Sequence, residues 1–175
     1  MELRDAIYNR RSIRGYEECE IKKEELEAIV KAAQMSPSWK NSQTQRFYIA
    51  HSKESREKMA DCLASFNRER TQGVGAYIVT TVVKGISGYT DRGATHLGNG
   101  FECFDNGLAV QNLLLSAYEM GYGTLIMGLY KEEKIRELFG IPENEAVVVV
   151  IAIGKANVNP DVPQRNNLDD VLKIF

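Results

Sequence analysis

Apolar residues recur along the chain with two different periods. A spacing of three to four residues, typical of helices, is found in 2–9, 22–35, 53–65, 105–120 and 131–139. Alternating or continuous apolar runs, typical of strands, occupy 46–51, 76–83, 124–127 and 146–153. Because the two patterns are interleaved, we predict an α/β or α+β fold with a central sheet covered by helices.

Two stretches follow neither period. Residues 84–100 hold five glycines and few large apolar side chains, so we expect a long surface loop there. Residues 157–167 are polar, and they separate the core from an apolar end at 168–175. Such an end either packs on a partner subunit or folds back on its own sheet, and the pattern favours neither.

Length and charge narrow the class of protein. The chain has 175 residues, of which 43% are hydrophobic, and this suits one domain with a sizeable core. Its 22 basic and 24 acidic residues give a net charge of −2. A general nucleic-acid binder would normally be basic, so we expect no nucleic-acid partner.

The expected location is the cytoplasm. The first residues, Met1–Asp5, are mostly charged and do not resemble a secretory signal. No apolar run approaches the roughly 20 residues that span a bilayer, so we expect no membrane association. Three distant cysteines, Cys19, Cys62 and Cys103, suit a reducing compartment better than a disulfide scaffold.

Two polar segments are candidates for ligand binding, and each has an ordinary alternative. Arg10–Arg14 reads Arg-Arg-Ser-Ile-Arg, and guanidiniums with a hydroxyl can bind phosphate. Taken alone, this segment fits a solvated charged turn better. Residues 36–43 are rich in amides and hydroxyls, which suits either a heterocycle-binding loop or a plain turn after a helix. The sequence contains no recognisable metal, triad or Walker motif, so we predict no metal site.

Taken together, these segments resemble the FMN-dependent nitroreductase family along nearly the whole chain. The matching motifs occur in the family's order: Arg10–Arg14, Ser36-Pro37-Ser38-x-x-Asn41-Ser42-Gln43, Phe66-Asn67-x-x-Arg70, Asp105-x-Gly107-x-Ala109-x-Gln111-Asn112-Leu113, Gly121-Tyr122-Gly123-Thr124, Gly128, and Pro163-x-Arg165 followed by Leu168-Asp169-Asp170-Val171. The chain departs from the family at Thr44-Gln45, where Pro-Trp is common, and it is short. Both departures concern the substrate side more than the cofactor side.

The resemblance implies an α+β fold, a three-layer α/β/α sandwich with a central, mostly antiparallel sheet. It implies one nitroreductase-like domain over residues 1–175 and a homodimer whose two subunits share two FMN sites. Residues 157–175 then form an arm that packs on the partner subunit, which agrees with the detached apolar end.

The resemblance also implies roles for individual residues. Those expected to hold the FMN phosphate are Arg10, Arg11, Ser12 and Arg165. Arg14 and Arg70 are expected towards the ribityl chain and the pyrimidine end of the ring, and Asn67 at the pyrimidine edge. The residues expected from the other subunit are Ser38, Trp39, Asn41 and Gln43, and Pro37 is expected among the cofactor-binding residues. The residues expected to cover one ring face are Ile126, Met127 and Gly128, with backbone N–H groups near the reactive nitrogen.

The implied activity is transfer of hydride from NADH or NADPH through the flavin to a nitroaromatic or quinone-type acceptor, with ping-pong kinetics. No side chain is assigned a catalytic role, because the cofactor carries the chemistry. One alternative is an FMN enzyme of the same superfamily that acts as an oxidase, dehydrogenase or dehalogenase. A second is a non-catalytic module whose arginines bind another phosphate ligand or an acidic partner.

Overall fold

A five-stranded antiparallel sheet forms the centre of the computed structural model, which describes residues 1–175. Its strands are β1 (Tyr16–Glu17), β2 (Gln45–Ala50), β3 (Ala76–Val83), β6 (Gly123–Met127) and β7 (Glu145–Ala156). A separate hairpin contains β4 (Tyr89–Thr90) and β5 (Gly93–Ala94). The helices are α1 (Leu3–Asn9), α2 (Lys23–Gln34), α3 (Lys53–Asp61), α4 (Ser65–Arg70), α5 (Gly100–Glu119), α6 (Glu132–Phe139) and α7 (Leu168–Val171), with a 3₁₀ turn at Trp39–Asn41.

Strand β7 lies in the middle of the sheet. Along one side it pairs with β3. Along the other side its residues 150–154 pair with β6, and Lys155 and Ala156 pair with β1. Strand β2 pairs with the free side of β3. Strands β6 and β2 therefore lie at opposite edges of the sheet.

Helices cover both faces of the sheet, and this confirms the predicted three-layer α+β fold. One buried cluster joins Tyr77 and Val79 of the sheet to α3 and α6 through Met59 and Ile135. On the other face, alternate residues of the strands pack against α2 and the long helix α5. The strict alternation of side chains along β3 assigns neighbouring residues to opposite layers.

The helix expected over 53–65 is broken in the structure. Helix α3 ends at Asp61, and the backbone of the next three residues bonds to a different segment. The Lys131 N–H donates to the carbonyl of Cys62 at 2.7 Å, and the Ala64 N–H donates to the carbonyl of Leu129 at 3.4 Å. These tertiary bonds replace the next helical turn, so a second helix, α4, begins at Ser65.

Two further elements differ from the sequence-based expectation. Helix α5 begins at Gly100 rather than near residue 105, and the glycine-rich stretch before it contains the short hairpin. Helix α5 also has an exposed side that includes Phe104, although its apolar sequence suggests burial nearly all round. Strand β1 has only two residues and no periodic pattern that would predict it.

The chain beyond β7 extends away from the core. Its apolar end remains exposed, including Leu168, Val171, Ile174 and Phe175. Nothing in the chain's own core covers these side chains. None of the helices combines the length and apolar character needed to cross a bilayer.

Candidate functional site

The arginine-rich segment lies along the outer edge of β6. Ser12 forms an isolated parallel bridge with Thr124, and the Ile13 N–H donates to the Thr124 carbonyl at 2.9 Å. Ile13 is buried beside Gly123, where an added Cβ would approach the Ile13 side chain to 2.6 Å. The glycine thus allows the close approach that aligns the arginines with this strand.

Three guanidiniums gather next to this edge without an acidic partner. Burial, and then the nearby guanidiniums of Arg11 and Arg165, lower the pKa of Arg10. No salt bridge in the structure involves any of the three. Arg11 instead donates to the carbonyls of Tyr8 and Arg10, at 2.7 and 2.8 Å. A cluster of cations that repel one another is suited to binding a phosphate dianion.

Other sequence-predicted residues lie around the same strand. The N-terminus of α4 is bonded to Leu129, just beyond β6, and this brings the helix that carries Asn67 and Arg70 to the end of the strand. Asn67 is buried, and the Arg70 guanidinium lies 5.3 Å from the centre of the Phe66 ring. Arg14 is exposed and donates to the Ser12 carbonyl at 3.2 Å.

The end of β6 offers an open surface. The Ile126 side chain is 44% exposed, and a Cβ at Gly128 would meet no atom within 4 Å. The Met127 side chain points into the core, and the residue is only 3% exposed. Only its backbone is therefore available to a ligand, whereas Ile126 can contact one with its side chain.

The second polar segment forms a strained loop between α2 and β2. Three of its residues that are not glycine, Lys40, Asn41 and Gln43, adopt positive φ angles of 46°, 55° and 49°. Each such residue costs on the order of 1–3 kcal/mol, so the surrounding structure must hold the loop in this shape. One local restraint is the Gln43 N–H, which donates to Ser38 Oγ at 3.0 Å.

Buried polar atoms without partners are concentrated in and just after this loop. They are Trp39 Nε1, Ser42 Oγ, Thr44 Oγ1 and Gln45 Nε2. Buried polar groups are normally hydrogen-bonded, so this concentration distinguishes the loop from the rest of the core.

Helix α5 anchors the loop at two points. The Trp39 N–H donates to Asp105 Oδ2 at 2.9 Å, and the Trp39 ring lies 4.5 Å from the ring of Phe101 between centres. The hydroxyl of Ser87, in the glycine-rich segment, donates to the same Asp105 oxygen at 2.5 Å.

The structure brings the predicted residues together as two groups rather than one. The first group surrounds β6 and contains Arg10, Arg11, Ser12, Arg14, Asn67, Arg70, Ile126, Met127, Gly128 and Arg165. The second is the loop that leads into β2, with Pro37, Ser38, Trp39, Asn41 and Gln43. Three strand spacings, about 14 Å, separate β2 from β6 within one chain.

Comparison with known proteins defines the family. A family model described as the nitroreductase family matches residues 7–76 and 73–155. The chain is 33% identical over 154 residues to an Archaeoglobus fulgidus protein named "Putative NADH dehydrogenase/NAD(P)H nitroreductase", a match that covers 85% of this chain and 82% of the relative. It is also 33% identical over 183 residues to "Putative NAD(P)H nitroreductase YdgI" of Bacillus subtilis, with 87% of each chain covered. The chain belongs to the nitroreductase family, and this confirms the resemblance.

Solved structures agree on the fold. The crystal structure of a "putative nitroreductase in complex with FMN" from Exiguobacterium sibiricum superposes with a TM-score of 0.87 over 100% of this chain and 98% of that one. Sequence identity is 23%, so this match supports the fold alone.

Asp105 and Thr124 are site residues to which the sequence analysis gave no role. Asp105 is 1% exposed in α5 and has no cationic partner, a combination that only the fold reveals. Thr124 bridges to Ser12, and its buried hydroxyl has no partner. The sequence signal at Asp105 is its place in the motif Asp105-x-Gly107, to which the resemblance attached no role. No group of three or more His, Cys, Asp or Glu side chains is arranged to hold a metal ion.

Proposed function

We propose that this protein is an FMN-dependent oxidoreductase that passes hydride from NADH or NADPH to nitroaromatic or quinone-type acceptors by a ping-pong mechanism. The observation that carries the proposal is the arginine cluster beside β6, in which Arg10, Arg11 and Arg165 have no acidic partner. Family membership supports it, since two relatives are named as NAD(P)H nitroreductases and one solved neighbour holds FMN.

The residues around β6 fit the chemical parts of FMN. Arg10, Arg11, Ser12 and Arg165 would hold its phosphate, because guanidiniums pair with phosphate through two parallel bonds. Arg14 would lie towards the ribityl chain. The open surface at Ile126 and Gly128 would receive the flat ring.

The pyrimidine end of the ring would face α4. Asn67 would bond its polar edge, and the Arg70 cation would favour negative charge on the ring. When bound, FMN supplies the redox chemistry itself. The chain's own residues would bind it, orient it and adjust its electrostatics, and none of them is assigned as a proton donor.

We further propose that the active form is a homodimer. The 38–43 loop leads into β2, which lies at the edge of the sheet opposite β6, so the two groups of predicted residues are separated within one chain. A second copy would supply its own loop to the β6 edge of the first. Residues 157–175 would act as an arm on the partner, outside the domain body. All three cysteines are free, which fits a reducing cytoplasm.

The test is a visible absorbance spectrum of the purified protein, followed by anaerobic addition of NADH or NADPH. We expect flavin bands that bleach and then return when a quinone or a nitroaromatic is added. Bands that persist with both nicotinamides would keep the cofactor but indicate an oxidase, dehydrogenase or dehalogenase. Absence of flavin even after incubation with FMN would contradict the proposal.

A further inference from the structure

We propose that Asp105 is a positioning residue, which holds the Trp39 loop in the arrangement that flavin binding requires and ties this loop to the glycine-rich segment. This inference rests on the proposed function, because the loop matters only if it contacts the cofactor. It concerns a residue that touches neither phosphate nor ring in its own chain.

Burial of Asp105 without a cationic partner is costly. Its carboxylate is 1% exposed and forms no salt bridge. Burial of an unpaired charge is strongly unfavourable unless hydrogen bonds compensate for it. Both of its hydrogen bonds go to segments outside α5, namely Trp39 and Ser87. The carboxylate thus stabilises the placement of these segments rather than the helix that carries it.

The hydrogen bond from Trp39 to Asp105 lies next to the strained part of the loop. The Trp39 N–H that Asp105 accepts lies immediately before Lys40, the first of the residues with positive φ. Phe101, one helical turn earlier on α5, fixes the Trp39 ring. The loop is thus attached to α5 through both the backbone and the side chain of Trp39. A strained backbone persists only when such surrounding contacts hold it in place.

Asp105 also links the Trp39 loop to the glycine-rich segment. Ser87 is fully buried, and its hydroxyl donates to the same Asp105 oxygen as the Trp39 N–H. One oxygen therefore connects residues from two separate loops. A change at Asp105 should move both loops together, whereas a change at Ser87 removes only one of the two donors.

Glu102 provides a matched control on the same helix. It is also a buried carboxylate, and it accepts the Gly85 N–H at 2.6 Å, but it does not bond the Trp39 loop. Glu102→Ala should reproduce any general loss of stability from removing a buried acid. Only Asp105→Ala should release Trp39.

The only tryptophan in the chain is Trp39, so its fluorescence reports directly on the loop. In full-length protein stripped of flavin, we expect Asp105→Ala to raise acrylamide quenching of Trp39 about twofold or more. On titration with FMN, its Kd should rise about tenfold, the usual effect of losing a hydrogen bond to a charged group. Asp105→Asn keeps an oxygen that can accept both donors and should remain within about threefold of wild type.

Different outcomes overturn different statements. Wild-type quenching and FMN affinity in Asp105→Ala, or equal effects in Glu102→Ala, would overturn the positioning role. Altered quenching with unchanged FMN affinity would show that the loop does not serve the flavin. Wild-type protein that takes up no FMN would instead overturn the proposed function.

A second measurement does not depend on the folding of any variant. Wild-type protein labelled with ¹⁵N-tryptophan gives a single backbone amide signal, from Trp39. If Asp105 holds this N–H, the amide should exchange with solvent far more slowly than a free loop amide. Exchange at the rate of a free loop would overturn the proposal, even if Asp105→Ala fails to fold.

Discussion

Arg10 combines burial with two neighbouring guanidiniums, and both effects oppose its positive charge. Binding of a phosphate dianion would relieve the repulsion among them. We therefore expect Arg10→Ala and Arg165→Ala each to weaken FMN binding about 10- to 100-fold, since a hydrogen bond to a charged group contributes about 1.5–3 kcal/mol. Titration of flavin-free protein with FMN, followed by fluorescence quenching, measures the effect.

Arg4→Ala is the matched control for this prediction. It removes the same charge, but Arg4 lies over the ring of Tyr8, at 5.6 Å from its centre, and outside the cluster. We expect its FMN affinity to equal that of wild type. Equal losses in Arg4→Ala and Arg10→Ala would mean that net charge, rather than a built phosphate site, controls binding.

At the scale of elements, α2 is fixed to its surroundings through Glu25. The Lys22 N–H donates to Glu25 Oε2 at 2.9 Å, and this bond, followed by the influence of the neighbouring Tyr122 side chain, lowers the pKa of Glu25. Burial, with Glu25 as the next cause, raises the pKa of Tyr122 to about 12. The pair joins the start of α2 to the turn that follows α5.

The direction of the Glu25 shift predicts a pH dependence. A carboxyl whose pKa is lowered by folding stabilises the native state above its unfolded pKa, near 4.5, and loses that contribution as the pH falls through the lower folded value. Glu25→Gln keeps an oxygen that can accept the Lys22 N–H but removes the charge, so it should be less stable than wild type at pH 7 by about 0.5 kcal/mol, the size expected for a solvent-screened charge. The difference should shrink in acid below pH 4.5.

Urea unfolding at pH 7 and in acid measures this difference. Glu27→Gln serves as the control, because Glu27 is on the same helix and forms only an exposed pair with Lys23 at 3.5 Å. Such pairs contribute little, so Glu27→Gln should resemble wild type at both pH values. A gap between Glu25→Gln and wild type that persists unchanged in acid would contradict the assignment.

Some helices and strands can be predicted from the local sequence, and others depend on distant contacts. Strands β3 and β7 follow from long runs of apolar and β-branched residues, which include Thr80 and Thr81 in β3, because a strand buried on both faces favours such residues. The break between α3 and α4 does not, because it arises from bonds to Leu129 and Lys131, far away in the chain. Strand β1 depends in the same way on its pairing with β7.

At the scale of the whole molecule, sequence motifs identified the family, named the candidate residues and, through the resemblance, assigned the loop around Trp39 to the other subunit. Arg10 and Arg165 lie at opposite ends of the chain, and only the fold shows that their charges interact. The separation of the Trp39 loop from β6 follows from strand order, which local periodicity does not specify. The anchoring by Asp105 also depends on tertiary contacts and has no local pattern.

The exposed C-terminal end leads to the last prediction. Four apolar residues of this segment are more than 60% exposed in the single chain, namely Leu168, Val171, Ile174 and Phe175. Because apolar groups are more stable out of water, such a segment favours burial against another surface. If the segment is an arm that packs on a second copy, deletion of 168–175 should leave the secondary structure intact and shift the protein from dimer towards monomer. Light scattering coupled to size-exclusion chromatography measures the mass, and circular dichroism checks the fold.

A substitution separates lost contacts from lost chain. Phe175→Asp and Ile174→Asp together keep the full length but place charges where the arm would be buried, so they should weaken the dimer as the deletion does. Asp169→Ala and Asp170→Ala, which alter exposed polar residues of the same segment, should leave it unchanged. A truncated protein that remained dimeric and retained FMN would show that the arm is dispensable, and that other surfaces, such as the exposed side of α5 around Phe104, hold the two subunits together.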